Sequence, residues 1–491
     1  MEIGVAQPSG AAGKEIETEA MLASIKQIVG FGIRRPGYAS SLQVEHWLEA
    51  KFQELGLAEV RREPVPVNYW EPSLTSLNFL PGQTNIPCFP IPYTAWTETA
   101  GIDAPMVFIG EGNNFQNIEL KGKIAVVEAR FGEVTGAGMK NGSFFVRDAM
   151  NSIPNGSLHV ANWLIQNFDS YHEAHRRGAA GFIGLLVDSA VDGCDFYVPY
   201  DGHLKGLPAI WIGRERAEFV RERSRIGERV NLKSLGHGRV VDSHNIIGVV
   251  PGKGRKDGAG NETILITCHH DAPFASAVED ASGIAVLLEL AKSFANAQDR
   301  LNRDLIFVAS SGHFHGGIGN RVFVEKHAGE LLSRTVAAFG VEHIAEEVEG
   351  NGRGKYRLTD RPEVRALFFD GSHAFCDLLQ AAAARHELDR LICLNAYSFG
   401  PEPPCDSAPF FTAGIPSACH ISGPLYLFDP HDTLDKVRAK DLAPVARFFA
   451  DAIRQIDSIP AKQLAEGMKR PAGSPPAALP SWFRPPPSGN I

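Results

Sequence analysis

The sequence predicts an α/β protein with a β-rich unit inserted into it. Three observations carry this. Compact β-branched runs, such as Thr263-Ile264-Leu265-Ile266-Thr267, have the length of buried strands. Segments with apolar residues three and four apart follow them, as in Ile284, Leu287, Leu288, Leu290, Ala291 and Phe294. Polar residues able to do chemistry gather where the strands stop, which is where open α/β sheets present their sites.

Composition sets the outer limits. At 491 residues the chain exceeds one ordinary domain. With 44% hydrophobic and 21% charged residues it has the make-up of a soluble globular protein. A net charge of -9 and the absence of a basic run argue against nucleic acid as a partner. No apolar segment is long enough to span a membrane, and the first residues lack a signal-peptide pattern. The seven cysteines are odd in number, scattered and without a C-x-x-C pair. That pattern reads as reduced thiols and a cytoplasmic location.

Taken in order, residues from about Glu15 to Glu63 are expected to be largely helical, with Ser41 as a cap and a turn at Arg34-Arg35-Pro36-Gly37. An edge strand carrying Pro64 and Pro66 follows. Residues 70–240 contain short apolar strands separated by Gly- and Pro-bearing turns, with helical pieces around Trp163–Arg177 and Arg214–Arg223. Within them Phe131 to Asn155 reads as a long loop, either a lid over a pocket or a mobile segment. The α/β pattern resumes near residue 241. It predicts helices from Ser282 (as cap) to Ala297, over Arg321–Leu332, around Ser372–His386 and at about Ala439–Ile456. The division is therefore 14–69 with 241–460, an insert at 70–240, and a Pro-rich tail at 461–491 read as an extended arm.

The stretch from Glu262 to Ala297 carries the first sign of chemistry. Its strand ends at Cys268-His269-His270-Asp271, and the loop beyond holds Glu279 and Asp280. His269 and Asp280 offer the nitrogen and oxygen donors that zinc accepts. Asp271 is close enough in sequence to take the other ring N–H of His269. Taken alone, polar residues at a strand end serve equally well as partners for backbone groups, since H-x-D is a short pattern.

The ordering of several motifs is more specific. Cys268-His269-His270-Asp271 with Val278-Glu279-Asp280-Ala281-Ser282-Gly283 resembles the first motifs of the co-catalytic zinc aminopeptidase and carboxypeptidase family, the aminopeptidase Y and glutamate carboxypeptidase group. Cys405-Asp406-Ser407-Ala408-Pro409-Phe410, Ala413-Gly414-Ile415-Pro416 and Phe428-Asp429-Pro430-His431-Asp432-Thr433-Leu434-Asp435 resemble its late motifs. The insert resembles the protease-associated domain often found in that family. The resemblance spans nearly the whole chain except the tail, and implies a three-layer zinc-aminopeptidase-like fold, a mixed sheet flanked by helices with the β-rich protease-associated domain inserted.

It also implies a site that departs from the family's. Where the family has a glutamate base and a glutamate ligand, this chain has His313 and Phe314; where it has its last histidine ligand, the chain has Phe428. The remaining ligand positions match His269, Asp280 and Glu342, with His343 as the alternate if the register shifts by one, and His315 and His431 as further alternates. The losses clear one metal position and spare the other. The resemblance thus implies a mononuclear site holding one divalent ion per chain, zinc first, with iron(II) or manganese as alternatives. His313 takes the place of the base and Asp271 orients His269, while Phe314, Phe428, Asp406 and Ser407 form the pocket.

The function this implies is a metal-dependent hydrolase of an amide or related C–N bond in a small, non-standard substrate, aromatic or heterocyclic. The alternatives are a non-hydrolytic lyase, hydratase or cyclase, and a catalytically inactive peptidase-like binding protein. A small-molecule substrate is the expected partner, with no nucleic acid or membrane, and self-association into a homo-oligomer is left open.

Overall fold

The computed structural model describes residues 16–82, 84–253 and 261–467, without the side chains of residues 159–162. Most of the tail read as an arm lies outside the described residues. One mixed sheet runs through the molecule. Its catalytic half orders the strands Arg229–Val250, Asp304–Ser310, Thr263–His269, Thr335–Val341, Ser417–Ser422, Arg365–Asp370, Leu391–Asn395 and Ser143–Arg147. The run from Asp304–Ser310 to Ser417–Ser422 is parallel. These strands are buried along almost their whole length, which explains their continuous apolar character. Helices Gly283–Ala295, His373–Arg385 and Ala439–Ile456 pack against each other and the sheet, and Ile318–His327 packs with the short helix Ala408–Thr412.

Two 22-residue strands, Ala58–Phe79 and Arg229–Val250, pair antiparallel and carry the sheet from the catalytic half into the insert. There Ile102–Phe108 pairs antiparallel with Arg229–Val250, and Ile124–Glu128, Gly181–Leu185 and Ala209–Ile212 follow it in parallel. The first long strand is far longer than its Pro-bearing segment suggested. Pro64 and Pro66 are tolerated because Arg229–Val250 is its one long neighbour, leaving the other side free of a ladder over those residues.

Several local expectations are corrected. Phe131–Asn155 is not a loop but strand Phe131–Thr135, helix Gly136–Lys140 and strand Ser143–Arg147. The first strand forms a hairpin with Ser157–Ile165, and the last becomes the edge strand beside Leu391–Asn395. Thus a piece of the 70–240 segment belongs to the catalytic half's sheet. The helix placed at Trp163–Arg177 is confined to Asp169–Arg176 because the chain before it is held in that hairpin. The one read at Arg321–Leu332 spans Ile318–His327. Ser41 lies inside the helix Ala39–Glu54 and is no cap. Ser282 is no cap either: its hydroxyl donates to the Val278 carbonyl and accepts from the Ile344 N–H, tying the helix start to the neighbouring strand's exit.

All seven cysteines are free thiols. Among the described residues no helix is long and apolar enough to cross a membrane.

Candidate metal centre

Three neighbouring parallel strands deliver the site. His269 is the last residue of Thr263–His269, His313 follows Asp304–Ser310, and Glu342 and His343 follow Thr335–Val341. Because the strands are in register at their carboxyl ends, their exits converge on one point. The loop before helix Gly283–Ala295 brings Glu279 and Asp280 to the same place.

His269, Asp280, Glu342 and His343 offer donor atoms all within 4.8 Å of one another, as do His269, Glu279 and His313. The sequence-derived trio of His269, Asp280 and Glu342 is therefore brought together, with His343 beside it. Glu279 was not assigned a role from the sequence, yet it is central here. One of its oxygens lies 3.0 Å from His269 Nε2 and the other 2.7 Å from His343 Nε2. All four atoms are buried, and no other hydrogen bond engages them. Protonated rings pair with the carboxylate at these distances, and a divalent cation in the same place would replace their two protons.

The orientation of both rings fits that role. His269 Nδ1 faces the Asp271 carbonyl at 3.0 Å and His343 Nδ1 the Ser422 carbonyl at 2.7 Å. Each carbonyl accepts an N–H and leaves Nε2 as the donor atom toward a metal. The Asp271 carboxylate does not hold His269 as expected; it stands 3.8 Å from Nδ1. It accepts instead from the backbone N–H groups of His313 (3.2 Å) and Phe314 (2.8 Å), fixing the turn that carries them.

Asp280 and Glu342 are more heavily committed. Asp280 Oδ1 accepts from the N–H groups of Gly283 and His343, and its Oδ2 from the Cys268 thiol. Burial pushes its carboxyl up. Glu342 Oε1 accepts from the Asp406 N–H and the Cys419 thiol, and burial, then Cys419, raises it well above the carboxylate range. Burial also opposes ionisation of Glu279, but His343 and His269 outweigh it and hold that carboxyl below its usual range. In the metal-free protein burial works against charge on His343, while Glu279 raises it to about 10. Glu279 is thus the carboxylate that stays anionic between the two rings.

The loop bearing Glu279 is clamped from two sides. Buried Arg34 donates to the carbonyls of His270, Ser276 and Glu279. Asp432 accepts from the N–H groups of Ala277, Val278 and Glu279 at 3.2, 2.8 and 2.9 Å. We expect Arg34→Met to lower stability by about 3 kcal/mol or more, because it leaves buried carbonyls and Asp432 uncompensated. Thermal unfolding with and without added zinc checks this, and the loss should be larger with zinc present.

Around the donors lies an aromatic wall. The His313 ring stacks on His269 (centroids 4.0 Å, 12°) and on Tyr200 (5.5 Å, 22°), and Tyr200 stacks on Phe428 at 5.2 Å. Tyr200 comes from the 70–240 segment and was not singled out in the sequence. Phe314 is buried against Tyr200 and Phe428. Next to His313 and His343 opens a cavity of about 90 Å³ walled by Val134, Met139, Trp163, Phe399, Leu427 and Phe428 among others. Val134 and Met139 belong to the strand and helix of the segment read as a loop, and Trp163 to the strand Ser157–Ile165 that pairs with it, so all three elements line the cavity.

The remaining assigned residues divide. Asp406 lies behind His313, and Ser407 packs under the site against Gly340. His315 points away, its ring against Gly202 and its Nε2 accepting from the Asn68 N–H. His431 faces Asp429 and lines a separate cavity. Neither belongs to the donor cluster.

A mixed sheet with donors at the exits of its parallel strands, and helices on both faces, is the fold of zinc aminopeptidases. Residues 245–453 match the model of Peptidase family M28. The fold is similar to an aminopeptidase from Aneurinibacillus sp. (TM-score 0.65, 21% identity, 94% of this chain and 98% of that one). It is equally similar to a zinc aminopeptidase from Bacillus subtilis (0.67, 18%, 92% and 98%). A Peptidase M28 precursor from Shewanella amazonensis aligns likewise (0.68, 20%, 93% and 97%). In sequence, a probable glutamate carboxypeptidase of Arabidopsis thaliana is 27% identical over 175 residues, 31% of this chain. The match spans a quarter of that relative's length.

Proposed function

We propose that the protein is a metal-dependent hydrolase of amide bonds that works with one divalent cation, zinc first, held by His269 Nε2, Glu279 and His343 Nε2, with Glu342 alongside. The observation that carries this reading is the set of four buried donor atoms on His269, Glu279 and His343, aimed at one another. The position of a second ion in a co-catalytic pair is taken up by Phe314 and Phe428, whose rings cannot coordinate. A cation at this site supplies Lewis acidity to the scissile carbonyl and acidity to water.

This chain's residues do the rest. His313 takes the proton of the attacking water as the water oxygen adds to the carbonyl carbon, and returns it to the nitrogen as the C–N bond breaks. Tyr200 and Phe428 exclude solvent and present a flat face to the substrate. The apolar cavity takes the group beside the scissile bond. Its lining contains no Lys or Arg, so it offers no partner to a carboxylate side chain such as glutamate's. Aromatic walls and a volume of about 90 Å³ favour one ring or a short apolar chain. The substrate class is therefore a small aromatic or heterocyclic amide.

A panel of N-acyl aromatic amides, aminoacyl anilides and acidic dipeptides, run in heavy-oxygen water, tests this. Solvent oxygen in the acid product of the aromatic amides, with kcat/KM at least about tenfold above the acidic dipeptides, is expected. Preference for aminoacyl anilides would sink the substrate assignment. Product without solvent oxygen would make the protein a lyase or cyclase.

A further inference from the structure

We propose that Asp406 is the positioning residue for His313, fixing the tautomer in which Nδ1 carries the proton and Nε2 faces the reaction. The inference rests on the role given to His313 above.

The geometry leaves the imidazole little choice. Its two faces are covered by His269 and Tyr200, so only its edges can interact. The Nδ1 edge faces Asp406 Oδ1 at 3.6 Å, and both atoms are buried without a hydrogen-bond partner. The other oxygen of Asp406 is already anchored: it accepts from the Ser310 hydroxyl (2.5 Å) and the Asn320 amide (2.7 Å). Asn320 also donates to the Asp406 carbonyl, and the Asp406 N–H donates to Glu342. An aspartate serving the fold alone would be complete with those partners. Here one oxygen is pinned so that the other is left for the ring. Catalytic hydrogen bonds are often long in a ligand-free protein, and a small ring rotation closes this one. A carboxylate behind Nδ1–H keeps Nε2 as the lone-pair atom and stabilises the ring once it is protonated, as in other carboxylate–histidine pairs.

The test uses the zinc-loaded protein labelled with ¹⁵N-histidine, and long-range ¹H–¹⁵N correlation to read each ring's tautomer. His313→Gln identifies the His313 signal by its loss. In the wild type that signal is expected to show a protonated Nδ1 and bare Nε2, and in Asp406→Asn to shift toward the other tautomer. Ser310→Ala removes one of the two anchors of the other oxygen without touching the ring, and is expected to give a mixture. On a turned-over substrate, Asp406→Asn should lower kcat about 10²- to 10⁴-fold with KM and bound metal unchanged. A wild-type His313 protonated at Nε2, or a tautomer indifferent to both substitutions, overturns the proposal. So does loss of the metal in Asp406→Asn, which would make His313 a ligand. The tautomer readout needs no turnover, so its failure is distinct from failure to find a hydrolysed substrate.

Discussion

Replacing Glu279 with glutamine will leave the protein without bound metal, whereas Asp280→Asn will keep the metal and lose stability. The two carboxylates are adjacent in the chain and equally buried, but their oxygens are spent differently. Asp280 satisfies two backbone N–H groups and a thiol. Glu279 faces two imidazole nitrogens with both oxygens free of other hydrogen bonds. Outer partners of metal ligands are worth about 10- to 100-fold in affinity, so loss of a direct ligand should exceed about 100-fold. Chelator competition and elemental analysis on both variants, with thermal melting alongside, give the comparison. Metal retained by Glu279→Gln and lost by Asp280→Asn would reverse the assignment.

The second large effect is expected at His313. His313→Gln removes the proton acceptor while keeping most of the volume between His269 and Tyr200. It should reduce kcat about 10²- to 10⁴-fold with metal content unchanged. Steady-state kinetics on the best amide of the panel, paired with metal analysis of the same preparation, separates this from collapse of the site. A loss of less than about threefold would return His313 to the status of a stacked pocket wall.

Much of this architecture is legible in the sequence because buried parallel strands are short, apolar and β-branched, and because strand exits carry the polar residues. His269 and the turn holding His313 and Phe314 can be placed from that pattern alone. The choice between Glu279 and Asp280 cannot, since both are acids one residue apart and only the path of the loop decides which side chain turns inward. That path is set by Arg34 and Asp432, far apart in sequence. Asp432 lies in a stretch with family likeness and Arg34 in a turn, and neither position by itself signals the clamp. Tyr200 left no signal at all: it is one tyrosine among short apolar strands, and it reaches the site only because two 22-residue strands carry the insert back over the catalytic sheet. The segment Phe131–Asn155 was read as a loop because its glycines and asparagines hide two five-residue strands, one of which finds its partner some 245 residues later in Leu391–Asn395.

The proposed function stands on a single metal held by His269, Glu279 and His343. Titrating metal-free protein with zinc, and counting bound ions per chain by native mass spectrometry and elemental analysis, tests it directly. One ion per chain at saturation, displaced by His343→Ala, is the predicted result. Two ions would mean that Phe314 and Phe428 do not close the second position, and none would remove the basis for metal-dependent hydrolysis altogether.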